Sequence, residues 1–476
     1  MSAINIQKFK GRFERESVKV MRDSKIPGMS IFITQYGEPI YARSFGLREK
    51  KDVKPATLNT LWGVSSITKS ITCMGILQLH EKGKLNILDP ISEYIPVNLG
   101  FKGQPITIQH LMCHRSGVPA LHSFVFSQMN QELYEANVPD FPFGNWDDFY
   151  FHVNDATSEV LSPPYTKYYY WNGGFVLLGQ IIEKVSGKSF EDYIKENILV
   201  PLEMHRSTFS SKEAEKDKDV TKGYNYSLKD KKVQRNPRNL LSGPFIAGSG
   251  GLISSVVEIT NYLLMQLNGG EFKGKQLLDR DLIKEMWKSH NTNLKMKNSE
   301  YYVDATEAYG YGWKIYENYN GYTLITHQGV SGVTGGNVGI IPELKLTFAQ
   351  LYNVSWIPNY LMHVAFSLLV GKNPEEMPYN KRKRHYRALC GEYEAYKKIL
   401  SVNIEEKEGL LYLIDNNWQD KGVFPLIPRN NDPEVMDFYI ILPSGSLEVP
   451  FTRHEKGQIT FDYERYLMHK KTAKLE

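Results

Sequence analysis

Apolar positions recur with a helical period over residues 6–21, where Ile6, Phe9, Phe13, Val20 and Met21 share a face. The spacing predicts an amphipathic first helix that ends before Ile26-Pro27-Gly28. The pattern then changes. Residues 29–35 and 40–45 are β-rich runs separated by Tyr36-Gly37-Glu38-Pro39, the signature of a hairpin. A second helical period runs through Ile67, Ile71, Met74 and Leu77 and stops near Glu81-Lys82-Gly83, where glycine suits a C-cap. Between residues 85 and 244 β-rich runs are few. Residues 107–114, 175–186 and 190–199 read as helices among polar and aromatic loops, and 212–222 as a charged surface loop. This stretch is expected to be a helical subdomain inserted between the parts of a sheet.

Gly248-Ser249-Gly250-Gly251 reads as a tight turn leading into a helix over 256–267. Four short β-rich runs follow at 313–316, 322–326, 335–341 and 346–352. Their closeness in sequence favours an antiparallel meander, joined with the first hairpin into one sheet. An apolar helix over 360–370 would cover it, beside the first helix. The composition then shifts to Pro, Asn, Lys and Arg over 371–387. Beyond it, runs at 410–414, 438–442, 447–451 and 459–463 alternate with turns at Gly409, Gly445 and Gly457, the spacing of a small closed barrel. The expected fold class is therefore α+β: an antiparallel sheet flanked by helices, with an inserted helical subdomain at about 85–244, then a C-terminal β-barrel. The expected boundaries are 1–372 for the first domain, 373–390 for a linker and 391–476 for the barrel.

Composition narrows the functional classes. The 476 residues are 41% hydrophobic and 23% charged with a formal charge of +4, which fits a globular protein without an acidic partner. Cys73, Cys113 and Cys390 are too few for a disulfide framework, so a reducing, cytoplasmic setting is expected. The first 25 residues carry charges of both signs, unlike a secretory signal, and the longest apolar run is too short to cross a bilayer. Neither nucleic acid nor membrane is expected as a partner.

The candidate chemistry begins at Ser66. An apolar, extended approach enters Ser65-Ser66-Ile67-Thr68-Lys69, and a helix follows. Lys69 then lies one turn from Ser66 on the same face. A serine hydroxyl needs a base within hydrogen-bond reach, and a lysine serves if burial lowers its pKa toward neutrality. The helix N-terminus adds backbone N–H groups for an oxyanion. Alone, this pair is more often an ordinary capped helix with a solvated lysine, and the stretches that follow reverse that reading. Tyr170-Trp171-Asn172, just before a helix, is a second cluster: the phenol can relay a proton and the amide can hold a substrate amide. A second Tyr-x-Asn at Tyr316-Glu317-Asn318 falls between two strands and reads as a turn. His327-Gln328-Gly329-Val330 leaves a strand, and an edge strand there could offer a second backbone donor, with Gly329 allowing close approach.

Ser66-x-x-Lys69, Tyr170-x-Asn172 and His327-x-Gly329, in that order, resemble the serine β-lactamase and penicillin-binding-protein superfamily, nearest to its class C-like CubicO peptidases and esterases. Flanking stretches such as Cys113-His114-Arg115-Ser116-Gly117 and Gly250-Gly251-Leu252-Ile253-Ser254-Ser255 agree. The resemblance covers about the first 370 residues, and the last ninety or so resemble an appended lipocalin-like barrel. It implies a β-lactamase/transpeptidase-like fold and an acyl-enzyme at Ser66, with Lys69 and Tyr170 sharing the proton work. Asn172 would bind the substrate amide beside His327 and Gly329, and the N–H groups of Ser66 and Val330 would form the oxyanion hole. The implied substrates are peptide amides, those of D-amino acids included, or small carboxylic esters. Penicillin-recognising members usually carry Lys where this chain has His327. A histidine near its reference pKa of ~6.5 is mostly neutral at pH 7, which argues against dedicated β-lactam hydrolysis.

Other readings are a carboxylesterase, a weak β-lactamase of the same fold, or a non-catalytic protein using the barrel as its ligand module. No cofactor or metal is expected: His110, Cys113 and His114 have helical ligand spacing, but no further ligand is evident. Lys381-Arg382-Lys383-Arg384-His385 reads as a solvated linker. The barrel is expected to restrict access to the cleft or to join subunits into a homo-oligomer.

Overall fold

The computed structural model describes residues 6–120, 145–227, 232–236, 240–290, 305–354, 359–415 and 422–471. The chain separates into one unit up to Leu369 and a second from Val370.

The first unit is built on an eight-stranded antiparallel sheet. Its strands are β1 (Gly28–Gln35), β2 (Glu38–Glu49), β3 (Lys54–Pro55), β4 (Thr306–Tyr309), β5 (Lys314–Tyr319), β6 (Tyr322–Val330), β7 (Gly335–Ile341) and β8 (Leu346–Tyr352). They lie in the order β4-β5-β6-β7-β8-β1-β2-β3, so the late meander joins the first hairpin through the β8–β1 pair. Strand register sorts the side chains between two faces. Tyr41, Ile33, Phe348 and Gly339 form one row across four strands. That face receives α1 (Ile6–Asp23), whose Phe9 and Phe13 pack edge-on against Tyr41. It also receives the helix Tyr360–Leu369, whose Phe366 meets Phe348. The adjacent row, His327, Val338, Ala349 and Phe32, faces the other way, into the main core.

On that second side lies α2 (Thr68–Glu81), in which the twelve residues from Thr68 to Leu79 are all buried. Such a helix has no polar face to give to solvent and must sit at the centre of a domain. Around it pack α3 (Asn172–Ser186), α4 (Pro244–Gly250) and α5 (Val256–Leu267). Helix α3 ends at Gly187 in the left-handed conformation, as a C-cap glycine does.

Four expectations need correction. Gly248-Ser249-Gly250 is not a turn but the end of α4, whose glycines permit contact: a Cβ on Gly248 would lie 2.4 Å from the Phe175 carbonyl oxygen. Part of the charged loop over 212–222 is a short helix, Ser211–Lys216, capped by Ser210. Tyr316 and Asn318 belong to β5 at an irregularity in its register rather than to a turn between strands. The basic run at 381–385 lies on a helix, Pro378–Leu389, not in a solvated linker. Its Tyr386 and Leu389 are buried in the core of the second unit, which explains why so charged a sequence is ordered.

In the second unit eight strands between Gly391 and Lys470 close into a barrel, the first pairing with the last through Tyr393–Lys470 and Glu394–His469. Gly409, Gly445 and Gly457 sit in hairpin turns with positive φ. Aromatic rings fill the interior: Tyr393, Phe438, Phe451 and Phe461 are buried, with neighbouring centroids 4.8–6.1 Å apart. A packed barrel of this size is a core rather than a ligand cup.

Candidate active site

The chain reaches Ser66 along the strand pair Trp62–Gly63 and Ile253–Ser254. Val64 N–H then donates to the Leu252 carbonyl. Ser65 takes a positive φ of 53°, and a single 3₁₀ turn, Ser65–Ile67, feeds directly into α2. The Thr68 hydroxyl holds this turn by donating to the Ser65 carbonyl at 2.7 Å. Ser66 is half-buried at the start of the helix, as the sequence implied, while Lys69 one turn on is wholly buried.

The lysine has three oxygen neighbours. Its Nζ lies 2.7 Å from Asn172 Oδ1, 2.7 Å from the Ser249 carbonyl and 3.1 Å from Ser66 Oγ. The Tyr170 and Phe175 rings stand 4.8 and 5.4 Å away. No carboxylate pairs with it among the described residues. Burial therefore drives its pKa well below the ordinary lysine value. A neutral amine has two N–H bonds and one lone pair. Asn172 Oδ1 and the Ser249 carbonyl can only accept, so they take the two N–H bonds and leave the lone pair for the Ser66 hydroxyl.

Tyr170 also hydrogen-bonds Ser66, and burial raises its pKa, with the Ser66 bond acting in the opposite direction. It is thus a protonated phenol beside the serine. Asn172 opens α3 with its amide oxygen engaged by Lys69.

His327 lies near the end of β6, with its ring centroid 6.3 Å from that of Tyr170. Its Nδ1 is 2.8 Å from the Gln328 carbonyl and its Nε2 is 2.9 Å from the Tyr309 hydroxyl. A carbonyl can only accept, so Nδ1 carries the proton and Nε2 accepts from Tyr309. Burial pushes the His327 pKa down to about 3. The residue is a neutral, locked imidazole and supplies no fixed cation.

Strand β6 is not at the sheet edge as expected: β5 and β7 flank it. Pairing with β5 starts at Thr326, however, so residues 327–330 have a ladder partner on the β7 side only. Gly329 lies against the serine turn, where a Cβ would stand 2.0 Å from the Val64 carbonyl oxygen. Only glycine allows β6 so close. Val330 follows at the end of the strand, half-buried. The arrangement brings a serine hydroxyl, a buried amine, a phenol and a close-lying strand together, groups of the kind that acyl transfer uses.

Three contributors were not legible as site residues. The Ser249 carbonyl is a backbone group and leaves no side-chain signal. Tyr309 stands in the aromatic and glycine-rich stretch Tyr309-Gly310-Tyr311-Gly312-Trp313, which carries no catalytic motif. His114 shows in the sequence only as part of a helical ligand spacing with His110 and Cys113, yet its ring lies 4.2 Å from that of Tyr170. His110 belongs to a helix cap, with Nδ1 accepting from Thr107 N–H at 3.0 Å.

Comparison with known proteins agrees with this architecture. The β-lactamase family model matches residues 12–356, and the Pab87 octamerisation domain model matches residues 374–469. The chain belongs to the β-lactamase family, whose fold is the one the penicillin-binding proteins share. It is similar to the octameric penicillin-binding protein homologue from Pyrococcus abyssi, with 32% identity and a TM-score of 0.84 over 97% of this chain and 99% of that one. Penicillin-binding protein 4* of Bacillus subtilis is 28% identical over 381 residues, 75% of each chain. Protein flp of Staphylococcus aureus is 23% identical over 72% of this chain, which spans 63% of that protein's length. EstCE1, described as a hydrolase with promiscuous acyltransferase activity, shares the fold at a TM-score of 0.62 and 16% identity, covering 77% of this chain and all of its own. Among the described residues no helix is long and apolar enough to cross a membrane.

The buried histidines predict a pH effect on stability. His110, His327 and His363 have folded-state pKa values of about 4, 3 and 3, below the unfolded value of 6.5. Between pH 6.5 and about 3 the unfolded chain binds protons that the folded chain does not. Stability is full above pH 6.5 and should fall on acidification, by up to ~1.4 kcal/mol per pH unit for each such histidine. Urea midpoints at pH 7 and pH 5 measure this, and His327→Gln should flatten the slope. An unchanged slope in that variant would show that His327 titrates normally in the folded protein.

Proposed function

We propose that the protein is a serine hydrolase that forms an acyl-enzyme at Ser66 on peptide amides or small carboxylic esters. The observation that carries this reading is the wholly buried lysine amine, its pKa driven down by burial, lying 3.1 Å from the serine hydroxyl. Ser66 Oγ attacks the carbonyl carbon while its proton passes to Lys69 Nζ. Charge on the carbonyl oxygen develops beside the N–H groups of Ser66 and Val330. The proton then moves through the neutral Tyr170 hydroxyl to the leaving amine or alkoxide, and water releases the acyl group by the reverse path. Asn172 keeps its amide nitrogen for a substrate carbonyl, since its oxygen is engaged by Lys69.

The neutral His327 favours a peptidase or esterase of the CubicO kind over a β-lactamase. With no cation at that position, recognition of a substrate carboxylate there loses its strongest element. A peptide, D-amino-acid peptides included, is favoured by the family's penicillin-binding relatives, and an ester is the simpler alternative. The buried Cys73 and Cys113 thiols are unpaired, which supports a reducing, cytoplasmic setting.

The barrel is read as an assembly module, and the chain as a homo-oligomer. Support comes from the octamerisation-domain match and the octameric relative. The packed barrel interior also leaves the outside as the working surface. Tyr396, Ile399, Leu410, Val423, Ile441 and Leu467 stand exposed there, between 48% and 73% of their full area.

A fluorophosphonate should label Ser66, and Ser66→Ala should lower ester turnover by several orders of magnitude, toward the ~10⁶ lost when a serine nucleophile is removed elsewhere. Lys69→Arg should be nearly inactive because guanidinium cannot accept the serine proton. Substantial turnover by Lys69→Arg, with the label on a different serine, would refute the assignment. For the assembly, light scattering of the paired variant Ile441→Lys/Leu467→Lys should report a smaller particle that still hydrolyses a small ester. An unchanged mass would remove the barrel exterior as the interface.

A further inference from the structure

Tyr170 sits in an irregular stretch between residues 160 and 172 rather than on a helix or strand. Something must fix its hydroxyl to within a few tenths of an ångström if it is to hand protons to and from Ser66. Three bonds tie this stretch to the residues after the helix Ile108–Met112. Tyr165 N–H donates to the Arg115 carbonyl at 2.9 Å. Tyr169 N–H donates to the His114 carbonyl at 3.1 Å. Trp171 N–H donates to His114 Nδ1, also at 3.1 Å. One residue thus holds the amides on both sides of Tyr170, with its carbonyl on one side and its side chain on the other.

The same imidazole bears on the phenol itself. Its ring lies 4.2 Å from that of Tyr170, and Phe175 and Tyr309 close around it at 5.0 and 4.9 Å. His114 is 2% exposed and takes a left-handed backbone with φ of 57°, a conformation uncommon outside glycine and one in which histidine is among the enriched residues. The conformation lets one residue turn both its carbonyl and its ring toward the Tyr170 stretch. The tautomer follows from the bonds. Nδ1 accepts from an amide, so the proton is on Nε2, and no group among the described residues accepts from it. A buried donor left without a partner is a cost that a merely space-filling residue would not carry.

We infer that His114 is a positioning residue that clamps Tyr170 from both sides and so presents its hydroxyl to Ser66. This rests on the hydrolase reading above, in which Tyr170 moves the proton. His114 touches no reacting atom and acts only through Tyr170.

The side-chain half of the clamp is an acceptor at the Nδ1 position. Asparagine places its amide oxygen near that point and tolerates a left-handed backbone, whereas glutamine carries its oxygen one methylene further out. In the full-length protein, His114→Asn should keep most of the rate of Ser66 labelling by a fluorophosphonate. His114→Gln should lose roughly 10- to 100-fold, the scale expected when a catalytic group is displaced by about 1 Å. With p-nitrophenyl acetate the loss should fall on kcat, with KM little changed. The control is the Tyr170→Phe background, which has no hydroxyl to aim: His114→Gln should there cost little more. Equal losses in both backgrounds, or equal rates for the Asn and Gln variants, would overturn the clamp. If His114→Gln does not fold, His114→Leu read in the same two backgrounds decides by the same criterion. Wild-type protein that leaves Ser66 unlabelled would instead remove the hydrolase reading, and with it Tyr170's need for a clamp.

Discussion

The site depends on one buried amine with no carboxylate beside it among the described residues. A lysine ammonium taken out of water without a counter-charge is costly, so burial drives the Lys69 pKa well below its ordinary value. Lys69 is wholly buried in a helix that is itself at the centre of the domain. Its amine meets two acceptors that cannot donate, and these fix the direction of the lone pair. Basicity and orientation at Ser66 therefore come from the same packing. An acidic side chain in place of Asn172 would supply the missing counter-charge and favour the ammonium form of Lys69.

The surrounding structure serves this arrangement by bringing backbones closer than side chains normally allow. Glycine at position 329 lets β6 lie against the serine turn, and glycine at 248 lets α4 press against α3. The second contact carries the neighbouring Ser249 carbonyl to the lysine. Tyr309 extends the design to the strand side, since its hydroxyl fixes the His327 ring, which burial keeps neutral. The site is thus a set of buried polar groups tied to one another and to backbone carbonyls by hydrogen bonds.

Much of this was legible in the sequence because the decisive signals were local. Ser66 and Lys69 are one helical turn apart, and Tyr170 and Asn172 stand at a helix entrance. The β7 and β8 strands were apolar enough for their limits to be read directly, at Gly335–Ile341 and Leu346–Tyr352. What stayed hidden was non-local or carried by the backbone. Ser249 acts through its carbonyl, in a glycine-rich stretch that looks like a turn by composition and is helical because packing overrides propensity. Strand Thr306–Tyr309 has too weak an alternation to announce itself, so the sheet extends beyond β5 unforeseen. The helix over 378–389 is poor in apolar residues and gains its order from Tyr386 and Leu389 in the barrel core. His114 could be placed near the site by motif, but its hold on Tyr170 depends on a left-handed backbone that no spacing reveals.

The most direct test of the account is the protonation state of Lys69. The rate of Ser66 acylation by a fluorophosphonate, followed against pH at saturating stability, reports the proton that must be absent for the serine to react. Lys69 and Tyr170 share a hydrogen-bonded serine and titrate as a coupled set, so the profile gives an apparent value for the group. If Lys69 is neutral, the rate rises with pH and reaches its plateau well below the ordinary lysine value of about 10.4. A rate that climbs only as pH approaches that ordinary value would mean that Lys69 is charged in the folded protein, and the central claim would be wrong.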